Sequence, residues 1–293
     1  MKKTARSGCK INWFLKVTGK RPDGYHELAT LFQYLPVPSD TIELDFDASS
    51  GIKVACGGPG LPQDLDNLAG KAALAYAQAA GIVPAWQIVI DKHVPSAAGL
   101  GGGSADAGTV LRMLEEHYGL LGKEKLISVA AKLGADIPFF LAPGLVFARG
   151  IGEKMTPYPL PEKQPDLLIV FPGFPVSAKW AYCALAPERI SPVSPETEKN
   201  IIGAALAGDP EKLAQAMHND LEYALFDKFP LLGVLREKLT ENGALRVMVS
   251  GSGSSVIAVF KTPADRKKAA EKMKMLLQSD PLSAVFELGD PLI

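Results

Sequence analysis

The chain has 293 residues, 47% hydrophobic and 22% charged, which is enough for about two domains with a real core. Its 31 basic and 32 acidic residues leave a net charge of −1, so no broad pull toward nucleic acid or an anionic membrane is expected. No apolar run approaches the ~18 residues of a membrane span, and the basic start Met1–Arg6 has no long apolar segment behind it. Cys9, Cys56 and Cys183 form no C-x-x-C pair, which points to reduced thiols in a cytoplasmic protein. His26, His93, His117 and His218 lack metal-ligand spacing.

The first segment, Cys9–Val17, reads as a strand in which Lys10 and Asn12 lie two apart and share a face. A lysine and an asparagine on an otherwise apolar strand suggest a ligand-facing pair; a solvent face is the other reading. Pro22-Asp23-Gly24 predicts a turn. Tyr25 and His26 follow it, a combination suited to stacking on a base and bonding its edge, and found equally at packed hairpin ends. Thr41–Phe46 and Gly51–Ala55 alternate like two strands paired through a polar turn. An alanine-rich helix to Ala80 follows, with Asp66 as its expected cap and Gly81 as its stop. Trp86, Ile88 and Ile90 then alternate with Gln87, Val89 and Asp91 in another strand, and Lys92 at its end reads as a solvent lysine.

The next stretch, Pro95 to Gly108, places Gly99, Gly101, Gly102, Gly103 and Ser104 within six residues, before a helical run that Gly119 ends. Strand, glycine loop and helix start is a way of building a polyanion site: glycines allow close backbone approach, and the helix offers free N–H groups and its positive end. A two- or three-residue turn would not need so many glycines. Ser104 could cap that helix or place a hydroxyl on a phosphate or a metal ion. No Gly-Lys-Ser/Thr triplet occurs, so this is not a Walker A loop, and Ser104 stands where the dinucleotide fingerprint needs its third glycine.

Lys123–Leu133 predicts a further helix ended by Gly134. Asp136, between that helix and the apolar Ile137–Leu141, should be capping or paired with a cation, because an unpaired buried carboxylate is costly. After a strand at 144–149, Pro157, Pro159, Pro161 and Pro165 interrupt regular structure, and the domain boundary is expected between residues 157 and 158. Beyond it come a buried strand at 167–171, a helix at 177–185, and short helices over 195–242. Strands at 245–249 and 255–260, a helix at 264–277 and a strand at 283–288 complete a β-α-β-β-α-β, ferredoxin-like order. The Ser250–Ser254 loop could close over an anion or simply join adjacent strands. His218-Asn219-Asp220-Leu221-Glu222 suggests no role beyond helix capping.

The stretch Pro95-x-x-x-Gly99-Leu100-Gly101-Gly102-Gly103-Ser104 resembles the phosphate-loop motif of the GHMP kinases (galactokinase, homoserine, mevalonate and phosphomevalonate kinases). Lys10-Ile11-Asn12, Gly134-x-Asp136-x-Pro138 and the Ser250–Ser254 loop are similar to other motifs of that family. The string Asp23-Gly24-Tyr25-His26-Glu27-Leu28 resembles the branch acting on a cytidine diphosphate-linked methylerythritol. The resemblance implies an α+β, two-domain GHMP kinase fold: a ribosomal protein S5 domain 2-like domain over 1–157 and a ferredoxin-like domain over 158–293, with the active site in the cleft between them. It implies an ATP- and Mg2+-dependent small-molecule kinase, monomeric or weakly dimeric, without nucleic-acid or membrane partners. Lys10 and Asp136 would be catalytic, Asp136 taking the hydroxyl proton and Lys10 holding it ionised. Pro95 and Gly99 to Ser104 would surround the phosphates, with Ser104 the one candidate toward Mg2+, and Asn67 and Lys92 would lie near the nucleotide. Tyr25, His26 and Tyr182 would recognise cytosine, and Asn12 and Ile151 would join the substrate contacts. Ala105 and Gly108 stand where serine and alanine are commoner. Another GHMP small-molecule kinase and a non-catalytic nucleotide sensor are the alternatives.

Overall fold

In the computed structural model, which describes residues 1–289 apart from 49 and 59, two long strands carry the start of the chain: β1 (Lys2–Lys20) and β2 (His26–Asp45). The predicted turn joins them, with Gly24 at φ +87° donating its N–H to Arg21 O at 3.1 Å. After β3 (Gly51–Cys56), helix α1 (Leu68–Ala80) crosses over to β4 (Ala85–Asp91). Helices α2 (Gly102–Tyr118) and α3 (Gly122–Leu133) precede β5 (Leu145–Gly150) and β6 (Lys154–Tyr158). The second sheet begins with β7 (Asp166–Phe171), and the short β8 (His218–Asn219) belongs to the first. Hydrogen-bonded neighbours in the first sheet run β3-β4-β2-β1-β8, with β5 on β2 and β6 on β5.

The two alternating segments expected to pair with each other do not. β3 runs parallel to β4 (Ile52 beside Trp86), and β4 lies antiparallel on β2 (Ile90 beside Ile42). Alternation shows which side of a strand is buried but not its partner; the crossover through α1 puts β4 in the middle. The helix cap also shifts by one residue. Asn67, not Asp66, caps α1, its side chain accepting from Ala69 N at 2.9 Å. Gly81 closes the helix in the left-handed conformation, as expected.

Two compact units emerge: residues 1–10, 34–95 and 101–143 form one, and residues 11–33, 96–100 and 144–293 the other. In the first, α1, α2 and α3 bury an apolar face on the strands through Ile42, Leu44, Tyr76, Trp86, Ile88 and Leu111. In the second, helices α4 (Ala178–Cys183), α5 (Pro195–Ala207), α6 (Pro210–Ala216), α7 (Glu222–Lys228) and α8 (Pro230–Glu241) lead to β9 (Ala244–Val249) and β10 (Val256–Phe260). Helix α9 (Pro263–Leu277) and β11 (Ala284–Leu288) follow. This sheet has the order β11-β7-β10-β9 with antiparallel neighbours, the arrangement the β-α-β-β-α-β sequence predicts. The compact units interleave along the chain. Pro157 sits in β6, which pairs with β5 alone, an edge position that a residue without an N–H tolerates. Among the described residues no helix is long and apolar enough to cross a membrane.

Candidate active site

Within the first unit, the candidate chemistry gathers around Lys10. Its side chain is 7% exposed, and Nζ lies 3.9 Å from Asp136 Oδ2. The solvent-face reading of this lysine therefore fails. Burial pushes the Lys10 ammonium below the ordinary lysine range, and the Asp136 carboxylate partly restores it. Asp136 precedes the 3-10 turn Ile137–Leu141 and makes no side-chain capping bond there, so it is paired with a cation rather than used as a cap. Its side chain is 36% exposed and can reach a ligand from solvent.

Gly101 packs directly on Lys10. It adopts φ +71°, and an added Cβ would sit 3.0 Å from Lys10 Cγ and 3.2 Å from Phe140 Cζ. Gly101 is also the N-cap of α2, so Ser104 is the third residue of that helix and not its cap. A glycine cap offers no side chain to the first N–H groups, and the first turn carries no acidic residue. The N–H groups of Gly102, Gly103 and Ser104 and the positive end of a 17-residue helix are therefore available to an anion. A Cβ added at Gly103 would meet no protein atom within 4 Å.

Lys92 is not a solvent lysine. Its side chain is 9% exposed, bonded to Asp40 and lying 2.9 Å from Asp106 Oδ2. Burial works against its charge, but Asp106 and Asp40 outweigh that and raise its pKa. Burial pushes the Asp106 carboxyl up to about 7, with Lys92 opposing and Asp40 reinforcing the shift. Asp40, fully buried, also accepts from His93 N at 2.6 Å and Val94 N at 2.7 Å, which fixes the chain just before the glycine loop. Nζ of Lys92 would lie 3.1 Å from a Cβ at Gly102, so this buried cluster abuts the start of α2. Sequence reasoning misses Asp40 and Asp106; the available signal is that a lysine at the end of a buried strand needs a counter-charge. Asn67, besides capping α1, donates its amide to Pro62 O at 2.9 Å.

Within the second unit, Ser96–Leu100 is held by its own backbone. Ala97 O accepts from Val176 N at 3.0 Å, Ala98 O from Ser255 N at 3.1 Å, and Gly99 O from Ser250 Oγ at 3.1 Å. Ala97 is held at φ +51°, a conformation that L-residues rarely adopt. Gly99 has φ +79°, and a Cβ there would overlap the Ser250 carbonyl oxygen. Leu100 is completely buried and Pro95 half-buried. The Ser250–Ser254 loop thus joins β9 to β10 and also braces Gly99. The segment His218–Glu222, which suggested only helix capping, explains the loop's shape. Asn219 Nδ2 donates to Val249 O and Gly251 O, both at 2.8 Å, and Glu222 Oε1 accepts from Val249 N at 2.9 Å.

The same unit brings His26 against Tyr182, ring centroids 5.6 Å apart and planes 20° from parallel, while Tyr25 is 62% exposed. Burial, helped by Lys20, pushes the His26 imidazole below its ordinary value, so it is neutral at pH 7. Asn12 is buried and donates to Thr30 Oγ1 at 2.8 Å. Ile151 lies in the turn after β5, its N–H donating to Glu153 at 2.6 Å.

No cluster of three or more His, Cys, Asp or Glu able to hold a metal occurs among the described residues. Mg2+ commonly keeps its waters and takes most of its other ligands from substrate phosphates, so a single hydroxyl such as Ser104, in the first turn of α2, is compatible with it.

A glycine-capped helix start beside the Lys10–Asp136 pair, on this fold, suits a small-molecule kinase. The chain matches "GHMP kinases N terminal domain" over residues 67–144 and "GHMP kinases C terminal" over 201–276, and it belongs to the GHMP kinases. As such it is a phosphotransferase that uses ATP. It is 40% identical to the 4-diphosphocytidyl-2-C-methyl-D-erythritol kinase of Syntrophotalea carbinolica, over 90% of this chain and 91% of that protein. It is 38% identical to the protein of that name from Chlorobium chlorochromatii, over 98% of both. A crystal structure of 4-(cytidine 5'-diphospho)-2C-methyl-D-erythritol kinase superposes with a TM-score of 0.80 at 34% identity, over 98% of this chain and 99% of that one. Homoserine kinase from Cytophaga hutchinsonii, at 19% identity and a TM-score of 0.71 over 96% of this chain and 94% of that one, shares the fold.

Proposed function

We propose that this enzyme transfers the γ-phosphoryl group of ATP to the 2-hydroxyl of 4-diphosphocytidyl-2-C-methyl-D-erythritol, giving the 2-phosphate and ADP, in the non-mevalonate (methylerythritol phosphate) route to isoprenoid precursors. The observation that carries the catalytic part is the Lys10–Asp136 pair at 3.9 Å with Gly101 packed against Lys10. Phosphoryl transfer needs positioning, neutralisation of charge and an acceptor for one proton. The N–H groups opening α2 hold the phosphates. Asp136 Oδ2 takes the proton of the attacking hydroxyl, and the Lys10 ammonium faces the charge that develops on the transferring oxygens. Bound with the nucleotide, Mg2+ supplies further charge neutralisation, and Ser104 is the residue that would reach it. At the other end of the substrate, neutral His26 offers a donor and an acceptor to the cytosine edge, and Tyr25 and Tyr182 offer aromatic faces. Homoserine and mevalonate have no base to use these groups, so a panel of cytidine diphosphate-linked polyols against those two alcohols tests the substrate class.

The catalytic assignment is tested by Asp136→Asn, which is nearly isosteric but cannot accept the proton. General acid–base help is worth ~10²–10⁴-fold, so kcat should fall at least about a hundredfold with the substrate Kd little changed. A purely structural aspartate would instead lower the melting temperature and leave turnover near normal. A stable variant that keeps more than about a tenth of the wild-type rate removes Asp136 from this role.

A further inference from the structure

A cavity of about 820 Å³ in the second unit is lined by none of the residues assigned above to catalysis, nucleotide or substrate. Its apolar surface includes Phe14, Ala204 and Met217; its polar surface includes Lys16, Lys199, Lys212 and His218. Behind these groups lies Asp220, a buried carboxylate. Its Oδ1 is 2.6 Å from His218 Nε2, and its Oδ2 accepts from Val17 N at 2.8 Å and lies 3.6 Å from Lys16 Nζ. Burial opposes its charge, but His218, the Val17 N–H and Lys16 hold the carboxyl below its usual range. An ionised Asp220 requires Nε2 of His218 to donate.

The charge balance of this cavity differs from that of the chain. Three lysines and a histidine line it, in a protein whose net charge is −1. Two of these lysines have a carboxylate beside them, Asp220 at Lys16 and Asp209 at Lys212, whereas Lys199 has none among the described residues. Asp220 is bonded as described, Asp209 lies 3.5 Å from Lys212, and Glu198 is paired with Arg149 at the rim of an adjoining smaller cavity. Lys16 is no loose surface lysine, with its side chain 19% exposed.

We propose that this cavity is a second ligand site, for a small molecule carrying a phosphate or diphosphate group. Lys16, Lys199, Lys212 and His218 hold its anionic end, and Phe14 and Met217 carry its apolar part. Phe14 and Lys16 alternate along β1 with Leu15 and Val17, which belong to the core that also supports Tyr182. The site therefore lies across one strand from packing that supports an aromatic of the proposed cytidine end.

The test is titration of the full chain with inorganic pyrophosphate at constant ionic strength, following the histidine ring resonances by NMR. The protein has four histidines, and His117, assigned to neither the proposed nucleotide nor the substrate site, serves as the internal control. His218 should shift saturably. In Lys199→Gln/Lys212→Gln the half-saturation point should rise at least about tenfold, since charge-assisted contacts to phosphate are being removed, with kcat and KM for ATP at wild-type values. Phenyl phosphate should outbind inorganic phosphate if the apolar wall is used; equal or weaker binding overturns the amphipathic assignment. A His218 shift that fails to saturate, or that saturates alike in wild type and variant, overturns the site. If the double variant does not fold, Lys199→Gln alone, at an exposed position, decides the question by the same criteria. Because none of these residues belongs to the proposed catalytic machinery, failure here leaves the kinase assignment standing.

Discussion

Replacing Gly101 by alanine makes the sharpest demand on the proposed catalytic geometry. The residue sits at φ +71°, where an L-residue costs roughly 1–2 kcal/mol. Its new Cβ would lie 3.0 and 3.2 Å from Lys10 Cγ and Cε and 3.2 Å from Phe140 Cζ, closer than an ordinary carbon contact of about 3.5–4.0 Å. Lys10 and the Phe140 ring must each give by a few tenths of an ångström. For a chain of this size the backbone cost should lower Tm by ~2–8 °C, taking about 2–4 °C per kcal/mol. The larger effect should be on turnover. A misplacement of about 1 Å can cost ~10²-fold, so a shift of Lys10 by a few tenths of an ångström should reduce kcat by roughly three- to tenfold. The companion variant is Gly103→Ala, whose methyl meets no protein atom within 4 Å and lies inside α2. It should melt at or above the wild-type temperature, because alanine is favoured over glycine by up to ~1 kcal/mol in a helix, while raising KM for ATP. Steady-state kinetics and melting curves on the same preparations decide the matter. Gly101→Ala with kcat within about twofold of wild type would refute the claim that this glycine positions a catalytic lysine.

The depressed Lys10 pKa predicts that kcat falls as pH rises through a value below the ordinary lysine ~10.4, and that Lys10→Arg abolishes this limb; a rate flat to that pH would count against it. Taken alone, the Lys10 shift makes stability rise with pH in that window, because this lysine keeps its proton longer in the unfolded chain; melting curves at each pH separate unfolding from loss of rate. Tyr182→Ala should raise KM for the cytidine substrate by the ~1–3 kcal/mol of one stacking contact, leaving KM for ATP unchanged; equal effects on both would make Tyr182 a core residue. Asn219→Ala leaves the Val249 and Gly251 carbonyls without their donor, at ~1–3 kcal/mol per group, so Tm should drop and KM for ATP should rise in the protein that remains folded. An unaltered KM for ATP would mean that the segment supports the fold alone.

Much of this was legible because local rules acted unopposed. The alternation of Trp86, Ile88 and Ile90 became buried positions of β4, and Gly81, Gly119 and Gly134 ended their helices where expected. What failed were inferences about partners. Strand alternation could not say that β4 separates β3 from β2, and a one-residue ambiguity between Asp66 and Asn67 is beyond capping preference, since both residue types cap well. At the site, residue types within a motif were readable, but the company they keep was not. Lys92 looked solvated because its counter-charges lie 52 and 14 residues away in sequence, and Asn219 looked idle because the carbonyls it binds are 30 and 32 residues further on.

The brace on Gly99 has a consequence for the order in which the chain becomes functional. The hydrogen bond from Ser250 Oγ to Gly99 O closes a loop of 151 residues. Ser255 N reaches Ala98 O over a similar span. Closing such a loop costs chain entropy that local helix contacts do not, and contacts this remote form late in folding. On the ribosome, the first half of the glycine stretch is therefore made early and left without these backbone partners until the β9–β10 hairpin emerges. A growing chain with α2 complete still lacks the contacts that hold Ala98 and Gly99 in place, so nucleotide binding is expected to arrive with the last fifth of synthesis rather than with the motif that encodes it.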